Sequence, residues 1–182
     1  MTTINSNSVI LNQTSPTNFL VDIPDNDYTK GLKLQIQGVT LPGINLPVTT
    51  IPQNSMIMSH IAGSAIEFDP LILRVALDEE LKSYLGCYIW MLGTNDFNTF
   101  DSRRWMEKDQ TLSVHILDNS QKKVVATFHF YGAFPSNLGE VDLMYTNDID
   151  EVVTHMVTIN FKYMEIEIDG KIIRPLPRKS EK

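Results

Sequence analysis

Residues 124–164 read VVATFHFYGAFPSNLGEVDLMYTNDIDEVVTHMVTINFKYM, and their pattern decides the fold class. The run opens as a strand, turns at a corner rich in Gly, Pro, Ser and Asn, and continues through a short strand and an acidic turn into a long closing strand. From Val153 onward the residues alternate. Val153, Val157, Ile159, Phe161 and Tyr163 share one parity, and Thr154, Thr158, Asn160 and Lys162 share the other. Successive side chains of a strand point to opposite faces, so the alternation predicts a sheet with one dry face and one wet face. No group in it has the spacing of a catalytic site. The stretch reads as a surface for assembly.

The flanking sequence supplies more strands. Thr111–Leu117 and Val124–Tyr131 flank the turn Asp118-Asn119-Ser120-Gln121 and predict a hairpin. Past the closing strand, Glu165-Ile166-Glu167-Ile168, Asp169-Gly170 and Lys171-Ile172-Ile173-Arg174 form another, with Glu165 and Glu167 available to Lys171 and Arg174 across it. Nearer the start, Phe19–Ile23 and the alternating run 32–37, with Pro24–Asp27 turning between them, suggest an antiparallel pair. Ile66–Leu77 predicts a strand with Leu71, Leu73, Val75 and Leu77 on one face and Arg74 on the other. The period then changes. Leu81, Tyr84, Leu85, Tyr88, Ile89 and Leu92 recur at three and four residues, which predicts an amphipathic helix over 78–92 covering the sheet. Asp78 is its candidate N-cap, Glu79 and Glu80 fall in its first turn, and Gly93 ends it.

Residues 40–65 differ from their surroundings. Pro42, Pro47 and Pro52 exclude a helix. Leu41, Ile44, Leu46, Val48, Ile51, Met56, Ile57, Met58 and Ile61 make the segment too apolar for a free loop. The reading is an extended flap with little regular structure, whose apolar side chains find cover on a neighbouring subunit. The alternative is a loop folded over its own core.

Composition narrows the function classes. At 182 residues the chain is long enough for one well-filled domain, and 42% hydrophobic with 20% charged residues is ordinary for a globular protein. A net charge of −7 speaks against a duplex-gripping surface. A nucleic-acid module would rest on Arg103, Arg104 and Trp105 and on the basic tail from Lys171 to Lys182. The single Cys87 excludes an internal disulfide. His60, His115, His129 and His155 lack ligand spacing, the last three reading as histidines of separate strands that line one face, and the turn Asp148–Glu151 lacks the glycine of a calcium loop and reads as a solvated hairpin turn. No apolar run is long enough to span a membrane, and the start lacks a signal-peptide pattern. With no nucleophile elbow, phosphate loop or dinucleotide fingerprint, the expectation is a protein without enzymatic activity, cofactor, metal or membrane contact, made in the cytoplasm.

Phe134-Pro135-Ser136-Asn137-Leu138-Gly139-Glu140-Val141 resembles the aromatic-Pro-(Ser/Thr)-Asn-(apolar)-Gly-Glu corner of the tail tube proteins of contractile-tailed bacteriophages. Leu41-Pro42-Gly43, and Phe68–Leu71 followed by Asp78-Glu79 and Tyr84–Met91, are similar to further elements of that family and of its baseplate tube initiators. The resemblance implies a mainly β, antiparallel sandwich or barrel of the tail-tube type, with one packed helix and a long extended loop. It implies stacked hexameric rings through which DNA passes without specific binding, in a virion assembled in the host cytoplasm. It also implies sheath, baseplate and tape-measure partners. On this reading residues 1–16 form an arm, 17–165 the tube domain and 166–182 a terminal hairpin and basic tail. The arm and the terminal hairpin are additions to a plain tube subunit, and they keep a tube initiator or other terminal ring as the alternative. Leu41 to Ile61 become candidate contacts between subunits or rings. Phe134, Pro135, Asn137, Gly139 and Glu140 mark the corner, and Thr154, Thr158, Asn160 and Lys162 a candidate lumen or inter-subunit face.

Overall fold

The computed structural model of the chain describes residues 14–23, 35–100, 110–144 and 152–174. The first half holds β1 (Phe19–Asp22), β2 (Ile36–Thr40), β3 (Ile44–Asn45), β4 (Val48–Asn54), β5 (Ile57–Ala62), β6 (Glu67–Phe68), β7 (Leu71–Ala76) and α1 (Lys82–Thr94). The second half holds β8 (Thr111–Leu117), β9 (Val124–Tyr131), β10 (Phe134–Leu138), β11 (Thr154–Asn160), β12 (Tyr163–Ile168) and β13 (Lys171–Ile172). They form a five-stranded sheet in the order β1-β8-β9-β12-β13, a four-stranded sheet in the order β10-β11-β7-β2, and two two-stranded pairs, β3-β6 and β4-β5. All pairings are antiparallel.

The core is the set of residues that alternation turns inward. Leu112, Val114 and Phe130 come from the five-stranded sheet, and Leu71, Leu73, Val75, Val157 and Ile159 from the four-stranded one, all fully buried. Arg74 is exposed, as its parity requires. The Phe130 ring meets Phe161 edge-on at 4.9 Å, joining the two layers. Fold class therefore follows the sequence: mostly strand, one helix, antiparallel sheets.

Partner choice departs from it. Phe19–Ile23 does not pair with residues 32–37, of which 32–34 lie outside the described residues. β1 pairs instead with β8, with Val21 opposite Val114, and β2 pairs with β7 in the other sheet. The cause is local to Asn18. Its carbonyl accepts the Leu117 N–H at 2.9 Å, its amide donates to the Asp118 carbonyl at 3.2 Å, and Gln121 donates to its Oδ1 at 3.0 Å. These bonds pin β1 to the turn between β8 and β9.

The closing strand is two strands. β11 ends at Asn160, the chain bends at Phe161-Lys162, and β12 continues in the other sheet. Phe161 is drawn into the core between Phe68 and Phe130. The Lys162 N–H donates to the Tyr131 carbonyl at 2.9 Å, delivering the chain to β9. Beyond β12, Asp169 (φ 49°) and Gly170 (φ 77°) both take the left-handed region, as a two-residue hairpin turn requires. Arg174 pairs with Glu165 at 3.2 Å, one of the cross-strand pairs expected from the sequence.

A candidate assembly surface

The segment expected as an irregular flap is a β-hairpin. β4 and β5 pair from Val48↔Ala62 to Asn54↔Ile57. Asn54 Oδ1 accepts the N–H groups of both Met56 and Ile57 at 2.9 Å, which closes the turn. Pro52 is accommodated where the register shifts between Pro52 and Asn54. At the root, the Gly63 N–H donates to the Pro47 carbonyl, and a Cβ on Gly63 would lie 2.6 Å from that oxygen. Leu41 and Pro42 sit half-buried below it, with Leu41 packed on the core. The rest is open: Ile44, Leu46, Val48, Ile51, Met56, Ile57, Met58 and Ile61 are all exposed, Met56 by 94%. Ile51, Ile57 and Ile61 share one face of the hairpin, and Val48 and Met58 the other. No Asp, Glu, Lys or Arg occurs between Lys33 and Glu67.

The helix corrects the sequence reading on two counts. It spans Lys82–Thr94, not 78–92, so Glu79 and Glu80 precede its first turn and Gly93 lies inside it. Leu81 stands at the N-cap with φ 55°. Asp78 still caps, from further upstream: its carboxylate accepts the Ser83 N–H at 3.2 Å and the Ser83 hydroxyl at 3.3 Å. Partial desolvation pushes the Asp78 carboxyl up, but the Ser83 and Lys82 backbone donors outweigh it and hold it below the usual range. Glu80 pairs with Lys82.

The second correction is orientation. Ser83, Gly86, Cys87 and Trp90 face the core. The stripe expected there points outward instead: Leu81, Leu85, Tyr88 and Ile89 are exposed by 40% or more, and Tyr84 and Leu92 are half-buried. Small residues explain the choice, since they let the helix axis approach β10, the strand it packs against. The period was legible; which face the monomer covers was not. The signals were the Ser83-Gly86-Cys87 spacing and the absence of charge between Lys82 and Asp96. Burial pushes the Cys87 thiol up to about 12, so it stays protonated and inert.

The corner forms β10 against β11. Pro135 is buried, Phe134 faces Asn160 and Asn137 faces Thr158, with a register shift between Pro135 and Asn137. Ser136 donates to the Thr158 carbonyl at 3.1 Å. The Gly139 N–H donates to the Met156 carbonyl at 2.6 Å, and a Cβ on Gly139 would meet that oxygen at 2.8 Å, so this glycine secures a close approach. Glu140 is exposed. On the outer face of β11, Thr154 and Thr158 are half-buried and Asn160 exposed. Lys162 lies past the strand end, its stem against Gly132, so it is not on that face. His155, on the dry parity, is 2% exposed, has no hydrogen-bond partner for either ring nitrogen, and meets the Tyr84 ring edge-on at 5.6 Å.

Of the strand histidines expected to line one face, His115 and His129 do so on the polar face of the five-stranded sheet, whereas His155 lies on β11 in the other sheet, buried. The cross-strand rows Ser113–His129–Glu165 and His115–Thr127–Glu167 run across that polar face. His129 bonds Ser113 at 3.0 Å and Glu167 at 2.8 Å, and His115 bonds Thr127 at 2.9 Å. Tyr131 stacks on Tyr163 at 4.7 Å and donates to Glu165. Alternating Thr111, Ser113 and His115 was the available signal for this face. Lys123 pairs with Asp169 at 2.9 Å beside these rows, so the cations here are matched by anions. Among the described residues no group of three His, Cys, Asp or Glu is placed to hold a metal ion. No helix described is long and apolar enough to cross a membrane. Arg103, Arg104, Trp105, the turn 148–151 and the tail 175–182 lie outside the described residues.

Two antiparallel sheets, one helix and a projecting hairpin define the tube fold of contractile injection systems. A chain of the PVC sheath–tube complex in its extended state superimposes with a TM-score of 0.63 at 11% identity, over 87% of this chain and 94% of that one. A chain of the anti-feeding prophage cap, a tube terminating cap, gives 0.66 at 11% identity over 92% and 99%. The family described as T4-like virus tail tube protein gp19 matches residues 15–165, and the chain belongs to that family. It is also 39% identical over 166 residues to the tail tube terminator protein of Enterobacteria phage T4, covering 90% of this chain and 94% of that protein.

Proposed function

We propose that the protein is the terminal ring of a contractile phage tail tube, a non-enzymatic virion component of which six copies close one end of the tube. The observation that carries this is the 39% identity to the T4 tail tube terminator over nearly its whole length. Two features of the chain support it. The family match ends at residue 165, whereas the β12–β13 hairpin continues past it. The outer strands of both sheets, β1, β13, β10 and β2, present edges that a ring would pair. Tube, sheath and tape-measure proteins are the expected neighbours. DNA passes through the lumen without a dedicated binding site, and the net charge of −7 favours passage over retention.

Copy number tests the proposal. Quantitative mass spectrometry of purified tails should find six copies per particle whatever the tube length, and a tag on the chain should label the head-proximal tip. Copies that scale with tube length would make it the repeating tube subunit. A label at the baseplate would make it an initiator.

A further inference from the structure

We infer that the Asp169–Gly170 turn is a site of spontaneous backbone isomerisation, and that Lys123 sets how fast it proceeds. The inference is independent of the terminal-ring reading.

Sequence and geometry single out this bond. Asp169 is the one Asp or Asn of the chain that precedes a glycine. Closure of an aspartyl side chain onto the next amide nitrogen is slowed by a Cβ on the following residue, and glycine has none. Both turn residues are exposed, and a Cβ on Gly170 would meet nothing within 4 Å. Among the described residues the Gly170 N–H donates to no acceptor, so no hydrogen bond has to break before it reacts. Asp69 precedes Pro70, which has no N–H to give up. Asn54 precedes a serine, and its side-chain oxygen is already held by the Met56 and Ile57 N–H groups.

The step balances without a co-reactant. The Gly170 nitrogen attacks Cγ of Asp169 and loses its proton, one carboxyl oxygen leaves as water, and a five-membered succinimide closes. Water then opens the ring. Attack at the side-chain carbonyl restores aspartate; attack at the main-chain carbonyl gives isoaspartate, whose chain runs through Cβ and whose mass is unchanged. A neutral carboxyl loses its hydroxyl far more readily than a carboxylate loses oxide, so the neutral acid is the reactive form. Lys123 opposes both requirements. Its Nζ donates to Oδ1 at 2.9 Å, tying the side chain to the β8–β9 turn instead of leaving it free to swing onto the Gly170 nitrogen. That hydrogen bond and the ammonium charge also hold the Asp169 carboxyl below the usual carboxylate range, so less of it is neutral at any pH.

The consequence falls on the terminal hairpin. Isoaspartate adds one backbone atom to a two-residue turn whose register is fixed at Ile168↔Lys171 and Glu167↔Ile172. The Ile173–Ile166 hydrogen bond at 2.8 Å and the Arg174–Glu165 pair depend on that register. The isomerised turn therefore frees β13 from β12.

Ageing of the full chain at mildly acidic pH, followed by peptide mapping, tests this. Wild type should accumulate a peptide spanning Asp169 with unchanged mass and shifted retention, labelled by an isoaspartyl methyltransferase and preceded by a species lighter by one water. Lys123→Met should form it about two- to fivefold faster, the hold that an exposed ion pair exerts, and Lys123→Arg should restore the wild-type rate. Asp169→Glu, which would have to close a six-membered ring, should form none. Amide exchange at Ile173 should quicken with age in wild type and stay constant in Asp169→Glu. A urea-unfolded sample gives the unrestrained rate. Isoaspartate formed there but in neither folded wild type nor folded Lys123→Met would overturn the site. Equal rates in folded wild type and Lys123→Met would overturn the role of Lys123.

Discussion

Acidification from about pH 7 to about pH 5 is expected to weaken the folded subunit through His155. Its ring sits on β11 opposite Val75, beneath Tyr84, with neither nitrogen hydrogen-bonded. Burial holds its pKa below that of an exposed histidine. The neutral form is therefore preferred in the folded state, and the unfolded chain takes up a proton first. Stability is complete above the unfolded pKa of about 6.5 and falls as the pH drops below it. The slope cannot exceed about 1.4 kcal/mol per pH unit for one proton, so the loss by pH 5 is at most about 2 kcal/mol. With a urea dependence of roughly 2 kcal/mol per M, that lowers the unfolding midpoint by up to about 1 M. The assay is urea unfolding followed by fluorescence, at protein concentrations over which the midpoint is constant, so that any association does not add to stability. His155→Leu should flatten the profile over this range. The carboxyls of Asp118 and Asp169 are held low by Ser120 donors and by Lys123 respectively, so their contributions are lost only as the pH falls through about 4. Parallel profiles for wild type and His155→Leu between pH 7 and 5 would refute the reasoning.

Three further outcomes follow from the packing. Phe130→Ala removes a fully buried ring and should cost about 3–5 kcal/mol in urea unfolding, whereas Met58→Ala, at an exposed site, should change the subunit by less than about 0.5 kcal/mol. Leu81→Gly should stabilise the subunit by about 0.5–1 kcal/mol in urea unfolding, because the left-handed backbone no longer opposes a Cβ. Gly170→Ala places a Cβ at φ 77° and should cost about 1 kcal/mol, with amide exchange quickening first at Ile173, whose N–H bonds the Ile166 carbonyl.

Local pattern was legible wherever one face of an element is covered within the monomer. The alternation of 111–117, 124–131 and 71–77, the Phe134–Glu140 corner and the Asp169-Gly170 turn all appear as strands or turns. Pairing between distant strands was not legible, because alternation says which side of a strand is dry but not which strand lies beside it. Asn18 decides that for β1 through bonds to Leu117, Asp118 and Gln121. Phe161 decides where the closing strand changes sheet. The α1 stripe misled for a different reason: in a subunit built for assembly, an apolar face need not be covered by its own chain. The same holds for the hairpin, whose prolines suggested irregularity although a bulge and the Asn54 turn keep it regular.

The pairing of β1 with β8 also sets an order of events during synthesis. Phe19 cannot meet Ile116, nor Tyr131 meet Tyr163, until the distant partner has left the ribosome. The β4–β5 hairpin needs only its own residues, and short-range hairpins form in about 1–10 μs. Each nascent chain therefore displays its uncharged arm well before either sheet is complete. Sheets built from such long-range pairings close slowly and expose unpaired edges meanwhile. Expression yield should then depend on how fast neighbours or chaperones cover that arm, and substitutions within 48–62 should alter solubility even when the finished fold is unchanged.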